Sequence, residues 1–195
     1  MKTLQLYQFE PVVTVLGPGR RAAVWVQGCP FRCPGCCAPD SQPDSGGTVI
    51  TSAQLAQRIC DSAMDCLIEG ISISGGEPFQ QAEGLTEVLN LVHAQHPQLT
   101  VMIYSGFALG VLRSFNRPGI SGLLQKADVL IDGVFLRDQP TTNPWKGSEN
   151  QTIHFLTGRI EPADVNRSHR HIELFRREDR LFAAGIPTSF SSRLS

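Results

Sequence analysis

The chain has 195 residues, with 17 basic and 18 acidic side chains and 41% hydrophobic residues. That length suits one compact domain with a small appendage, and a core large enough to fold without disulfide staples. A net charge of −1 lacks the basic excess of a typical nucleic-acid binder. Apolar runs such as 12–16 and 129–131 are too short to span a bilayer. The first five residues contain neither an apolar h-region nor a small-residue cleavage site. These features predict a cytoplasmic protein that binds neither membrane nor nucleic acid. In that compartment the six cysteines are expected as thiolate ligands or free thiols rather than disulfides.

In chain order, residues 12–15 and 22–26 read as short strands, with a turn at Gly17-Pro18-Gly19 between them. Arg20 and Arg21, just after that turn, read as solvated. Residues 27–47 are rich in Cys, Pro, Gly and Ser and read as an irregular loop. Residues 51–70 read as a helix. Thr51 and Gln54 fit a capping box, Leu55, Ile59, Ala63 and Cys66 keep helical spacing, and Gly70 is the stop. A strand at 71–74 leads into the turn Gly75-Gly76-Glu77-Pro78, and a helix follows over 81–96. Residues 99–104 form the next strand, then Ser105-Gly106, a short helix at 108–115, a break at Arg117-Pro118-Gly119, and a buried strand at 128–132. This alternation predicts an α/β fold with right-handed crossovers and about four to five parallel strands. Residues 133–150 read as a polar loop around Trp145. Residues 159–180 read as a solvated segment, with a hairpin pairing 172–175 to 181–183, and 188–195 as a frayed tail.

The cysteines carry the chemistry. Cys29, Cys33, Cys36 and Cys37 fall within nine residues, and none lies beyond Cys66. A structural zinc site usually takes four ligands from paired Cys-x2-Cys knuckles, and ferredoxin clusters take four cysteines at other spacings. Three thiolates at x3 and x2 spacing leave one metal position open, as a catalytic centre needs. Cys37 adjoins Cys36, and adjacent residues rarely point at the same metal, so it is not counted as a ligand. A structural zinc loop completed by Cys37 or a distant His is the alternative. Cys60 and Cys66 sit in a helical pattern and read as core thiols.

Cys29-x3-Cys33-x2-Cys36 resembles the signature of radical S-adenosylmethionine enzymes, and Ser74-Gly75-Gly76-Glu77-Pro78 at a strand end resembles their glycine-rich motif. Within that superfamily the chain resembles the anaerobic ribonucleotide reductase activating proteins. The resemblance rests on Gly17-Pro18-Gly19, Trp25-Val26-Gln27-Gly28-Cys29, Tyr104-Ser105-Gly106-Phe107, Asp132-Gly133-Val134-Phe135 and the stretch from Trp145 to Gln151. It covers roughly residues 8–158. Lys146 stands where the family commonly has Arg, Cys37 where it commonly has an aromatic, and the chain runs about 35 residues further.

The resemblance implies a partial (β/α) barrel with a parallel sheet, with the cluster loop at the strands' C-terminal edge. It divides the chain into a radical S-adenosylmethionine domain at 1–160 and an extension at 161–195. It implies a [4Fe–4S] cluster on Cys29, Cys33 and Cys36, with S-adenosylmethionine held by Gly75, Gly76 and Glu77 and contacted by Ser105. Asp132 either faces the site or anchors a loop. Residues 145–151 either shape the partner's docking surface or pack on themselves. The implied reaction is reductive cleavage of S-adenosylmethionine to a 5′-deoxyadenosyl radical, which generates a glycyl radical on a partner such as anaerobic ribonucleotide reductase. Flavodoxin or ferredoxin would supply the electron. The alternatives are a minimal radical enzyme acting on a peptide or small molecule, and a non-enzymatic iron–sulfur or zinc protein.

Overall fold

A computed structural model describes residues 2–177 and 180–187. The expected frayed tail at 188–195 lies outside the described residues. Seven strands form one mixed sheet: β1 (Thr3–Val13), β2 (Arg21–Val26), β3 (Thr48–Thr51), β4 (Gly70–Gly75), β5 (Thr100–Ser105), β6 (Val129–Asp132) and β7 (Thr152–Phe155), in the order β3-β1-β2-β4-β5-β6-β7. The central β2, β4, β5 and β6 run parallel, in register Arg21 to Gly70, Gly70 to Thr100 and Met102 to Val129. The flanking pairs β1–β2, β1–β3 and β6–β7 are antiparallel. The sheet is therefore large and mostly parallel, as the alternating pattern predicted.

Helices α1 (Ser52–Asp65), α2 (Ala82–Gln95), α3 (Leu109–Ser114) and α4 (Pro118–Lys126) lie in the crossovers, and α2 packs between α1 and α4. The α1 start matches its expected capping box: Thr51 Oγ1 accepts from Gln54 N at 3.2 Å, and Gln54 Oε1 accepts from Thr51 N at 3.0 Å. Side-chain alternation divides the sheet's two faces. Ala22, Val24, Val26, Val101, Ile103 and Leu130 join the helices in the main core, with Cys60 among its buried members. On the opposite face, Ala23 and Trp25 belong to a second cluster, and Met102, Val129 and Ile131 to a third around Trp145. Both faces are covered, which is why the central strands read as continuous apolar runs.

Chain beyond the sheet supplies that second cover. Helix α5 (Pro162–Arg167) leads to an antiparallel hairpin of β8 (Ile172–Arg177) and β9 (Arg180–Gly185), with Leu174 opposite Ala183 and Phe175 opposite Phe182. The expected hairpin is present, but its segment is not simply solvated. Ala184 and Ile186 are buried with Val13, Val15, Leu16 and Trp25, and Phe175 packs against them.

Arg21 also departs from expectation. It is fully buried rather than solvated. Its guanidinium donates to Ser72 Oγ (2.7 Å), Thr100 Oγ1 (3.0 Å) and the carbonyls of Pro18, Ile71 and Thr100. Burial lowers its pKa to about 10, and those five acceptors replace water around the charge.

Candidate cofactor site

The cysteine loop leaves the C-terminal end of β2. Gly28 N donates to Ser41 O at 2.8 Å and Cys29 N to Gln42 O at 2.9 Å, so the loop closes on itself. The Gln27 amide nitrogen donates to the carbonyls of Asp40 (3.0 Å) and Pro43 (2.7 Å) and staples the return. Cys29, Cys33 and Cys36 are all half-buried, and all three line one cavity of about 280 Å³. A hydrogen bond from Cys37 brings the Cys36 thiol down to about 6 and pushes Cys37 well up, while burial raises Cys29. Cys36 is thus poised as a thiolate, the form that binds metal. Among the described residues, no three His, Cys, Asp or Glu side chains converge tightly enough to hold a single ion. Cys37, hydrogen-bonded to Cys36, lines the same cavity, so this end of the chamber is rich in thiols, the donors that iron–sulfur clusters take.

The glycine turn meets the root of this loop. Gly76 N donates to Val26 O and Glu77 N to Gly28 O, both at 2.7 Å. Gly75 has φ +98°, and a Cβ there would lie 2.5 Å from Val26 N. A Cβ on Gly76 would lie 2.0 Å from Gly28 O. The two glycines therefore let one backbone lie against another. Ser74, Gly75, Gly76 and Glu77 line the same cavity as the three thiols. Segments about 40 residues apart in sequence thus share one wall.

Glu77 is 1% exposed. Its Oε1 accepts from Phe79 N (2.9 Å) and Ser105 Oγ (3.0 Å), and its Oε2 accepts from Gly106 N (2.8 Å). Burial, partly offset by these donors, raises its pKa to about 7. A carboxylate offers about four lone-pair sites, so roughly one remains for a ligand donor. Ser105 Oγ donates to Glu77 Oε1 and accepts from Phe107 N, each at 3.0 Å, so its hydroxyl is engaged within the chain. It ties the end of β5 to the glycine turn.

Other expected candidates have quieter roles. Asp132 accepts from Leu109 N and pairs with His154 Nε2 at 2.9 Å, so it anchors a loop. Trp145 is fully buried. Gln151 Oε1 accepts from Gly147 N at 2.7 Å, Asn150 donates to Val134 O at 2.9 Å, and Trp145 packs on Met102, Val129 and Ile131, so residues 145–151 are anchored on the sheet and on the loop after β6. Only Gly147 and Gln151 of that stretch reach the cavity wall.

Sequence reasoning missed two contributors. The Tyr104 hydroxyl is buried, has no hydrogen-bond partner among the described residues, and belongs to a cavity-lining residue; burial raises its pKa. The tyrosine sat in the sequence beside Ser105, but its orientation depends on strand register. The second contributor is the hairpin, whose Leu181, Phe182, Ala183, Gly185 and Ile186 also line the cavity.

Residues 15–154 match the family described as a 4Fe-4S single cluster domain. The chain is 30% identical to the anaerobic ribonucleoside-triphosphate reductase-activating protein of Escherichia coli (strain K12) over 158 residues, covering 78% of this chain and 99% of that relative. It is 32% identical to the protein of that name from Vibrio cholerae over 160 residues, covering 79% and 99%. A pyruvate formate-lyase-activating enzyme from Clostridium pasteurianum is 33% identical over 93 residues, 47% of this chain and 39% of that enzyme. A near-complete span of relatives at this identity, joined to a three-thiol loop sharing a cavity with a glycine turn, places the chain in the family of anaerobic ribonucleoside-triphosphate reductase-activating proteins, with a [4Fe–4S] single-cluster domain.

Proposed function

We propose that this protein is a radical S-adenosylmethionine activase that generates a glycyl radical on a partner enzyme such as anaerobic ribonucleotide reductase. The observation that carries the reading is the shared cavity. Two backbone hydrogen bonds zip the glycine turn onto the root of the cysteine loop, and both line one chamber. When bound, the cluster and S-adenosylmethionine would take up one electron, break the S–C5′ bond and supply a 5′-deoxyadenosyl radical, which takes the hydrogen atom from a glycine Cα.

In this reading Cys29, Cys33 and Cys36 are the cluster's protein ligands. Gly75 and Gly76 bring backbone polar groups to the methionine end, and the free lone pair of Glu77 accepts from its ammonium. Ser105 acts through Glu77 by fixing the carboxylate. The hairpin and the sheet exclude water, which would otherwise quench the chemistry. The four parallel strands, with the ligand-bearing turns at their C-terminal ends, support an architecture of partial (β/α) barrel type, with residues 1–160 as the cluster domain and 161–195 as its extension. A small flavodoxin or ferredoxin is the electron donor, in the cytoplasm. Among the described residues, no helix is long and apolar enough to cross a membrane.

The test is a pair of cysteine variants. Cys33→Ala should lose iron and 5′-deoxyadenosine production after anaerobic reconstitution. Cys60→Ala, in the helix core, should keep both and cost about 1–2 kcal/mol of stability. Equal loss of iron in the two variants would show that the ligands are misassigned.

A further inference from the structure

The hairpin lies beyond residue 154, where the family match ends. The Escherichia coli relative spends 99% of its length on 78% of this chain, leaving roughly a fifth of the chain without a counterpart there. An isolated two-stranded hairpin is marginal in water, so this one is held by specific contacts. Its inner face packs on the sheet through Phe175 and Ala184. Glu173 accepts from Thr14 through both the backbone N–H and the hydroxyl. Arg170, at the hairpin's foot, donates to the carbonyls of Thr141 (2.7 Å), Asn143 (3.0 Å) and Lys146 (3.3 Å) on one side, and Ile186 (3.2 Å) and Pro187 (2.8 Å) on the other. One guanidinium thus ties the hairpin to the Trp145 loop.

The outer face is different. Cross-strand register and alternation put Ile172, Leu174, Ala183 and Leu181 on the side away from the sheet. Ile172 is 44%, Leu174 63% and Leu181 67% exposed. Those three are among the few large exposed apolar side chains described, and here they share one face of the hairpin, where Arg176 stands opposite Leu181. Contiguous exposed apolar surface marks interaction sites. That face does not end on bare surface, because Leu181 and Ala183 also line the cavity. The apolar face of the hairpin therefore borders the chamber.

We propose that the β8–β9 hairpin is the docking edge for the glycyl-radical partner: its outer face, carrying Ile172, Leu174 and Leu181, receives an apolar surface of that enzyme beside the glycine-bearing segment that enters the cavity. The proposal rests on the activase reading. A glycine segment has no side chain to be recognised, so selectivity has to come from surface flanking the chamber. The hairpin supplies such a surface beside the chamber.

The test uses the full-length, anaerobically reconstituted protein and the anaerobic ribonucleotide reductase encoded in the same genome. Ile172→Ser/Leu174→Ser changes two exposed residues that do not line the cavity. Glycyl radical yield is followed by electron paramagnetic resonance against reductase concentration, and 5′-deoxyadenosine formation is followed without reductase. The expected result is a KM for the reductase raised at least fivefold, partner-free turnover within twofold of wild type, and a normal KM for the conservative Ile172→Val/Leu174→Met variant. An unchanged KM in the serine variant, or equal loss of both activities, overturns the docking role. Wild-type protein that makes 5′-deoxyadenosine but leaves no radical on the reductase overturns the activase reading itself, and the docking role with it.

Discussion

Glu77 joins three backbone and side-chain donors from two loops while nearly sealed from water. Its pKa of about 7 lies above the ordinary carboxylate value because burial outweighs those donors. Between about pH 4.5 and 7 the folded, ligand-free protein therefore binds more protons at this site than the unfolded chain. Its contribution to stability is full below the unfolded pKa and is lost as pH rises through about 7. An ammonium ligand reverses the preference by favouring the carboxylate. Binding of S-adenosylmethionine should then release a proton below pH 7, and affinity should rise by up to roughly tenfold per pH unit on approaching 7. Calorimetry in buffers of different ionisation enthalpy measures that release, and its absence would remove the ammonium contact.

Glu77→Ala should weaken S-adenosylmethionine binding by roughly 10- to 100-fold, the effect of one charge-assisted hydrogen bond. Cluster absorption should persist, because Glu77 is not an iron ligand in this reading; unchanged affinity would make the turn purely structural. At this scale the sequence made legible which residues gather: the three cysteines and the Gly75-Gly76-Glu77 turn line one cavity. It was not legible for Arg21. A guanidinium buried among five oxygen acceptors looks, in sequence, like any charged residue after a turn.

Elements were readable where they repeat a period. Helix α1 and its capping box, α2, and the central strands β2, β4, β5 and β6 all carry clear apolar patterns. β1 spans Thr3–Val13, yet only its last residues were legible, because a register shift between Leu6 and Gln8 breaks the alternation. β7 is an antiparallel edge strand, half-exposed along most of its length, and gives little signal. Helix α4 begins at Pro118, a residue that reads equally as a break and as a first-turn proline. The contact between the glycine turn and the cysteine loop belongs to this scale. Gly76→Ala would drive a methyl into the carbonyl of Gly28, which is backbone and cannot swing aside. A cost of about 1–3 kcal/mol is expected for such overpacking, lowering Tm by roughly 3–10 °C. Thermal unfolding of the metal-free protein reads it directly. An unchanged Tm would mean that the turn does not lie against the loop.

Across the whole molecule, crossover helices cover one face of the sheet and the hairpin and Trp145 loop the other, with the cysteine loop and glycine turn gathered at one end of the parallel strands around one cavity. The fold class was legible because alternating strand and helix patterns allow few other arrangements. The cover over the second face was not, since its short, charge-rich strands and the Arg170 clamp depend on tertiary contacts for their meaning. The central claim is that this chamber removes a hydrogen atom from a partner's glycine. It is tested most directly by preparing the reductase with glycine deuterated at Cα, running activation under anaerobic reduction, and weighing the 5′-deoxyadenosine formed. Deuterium in that product, together with a glycyl radical on the reductase, is the predicted result. Unlabelled 5′-deoxyadenosine with no radical on the reductase would contradict the assignment.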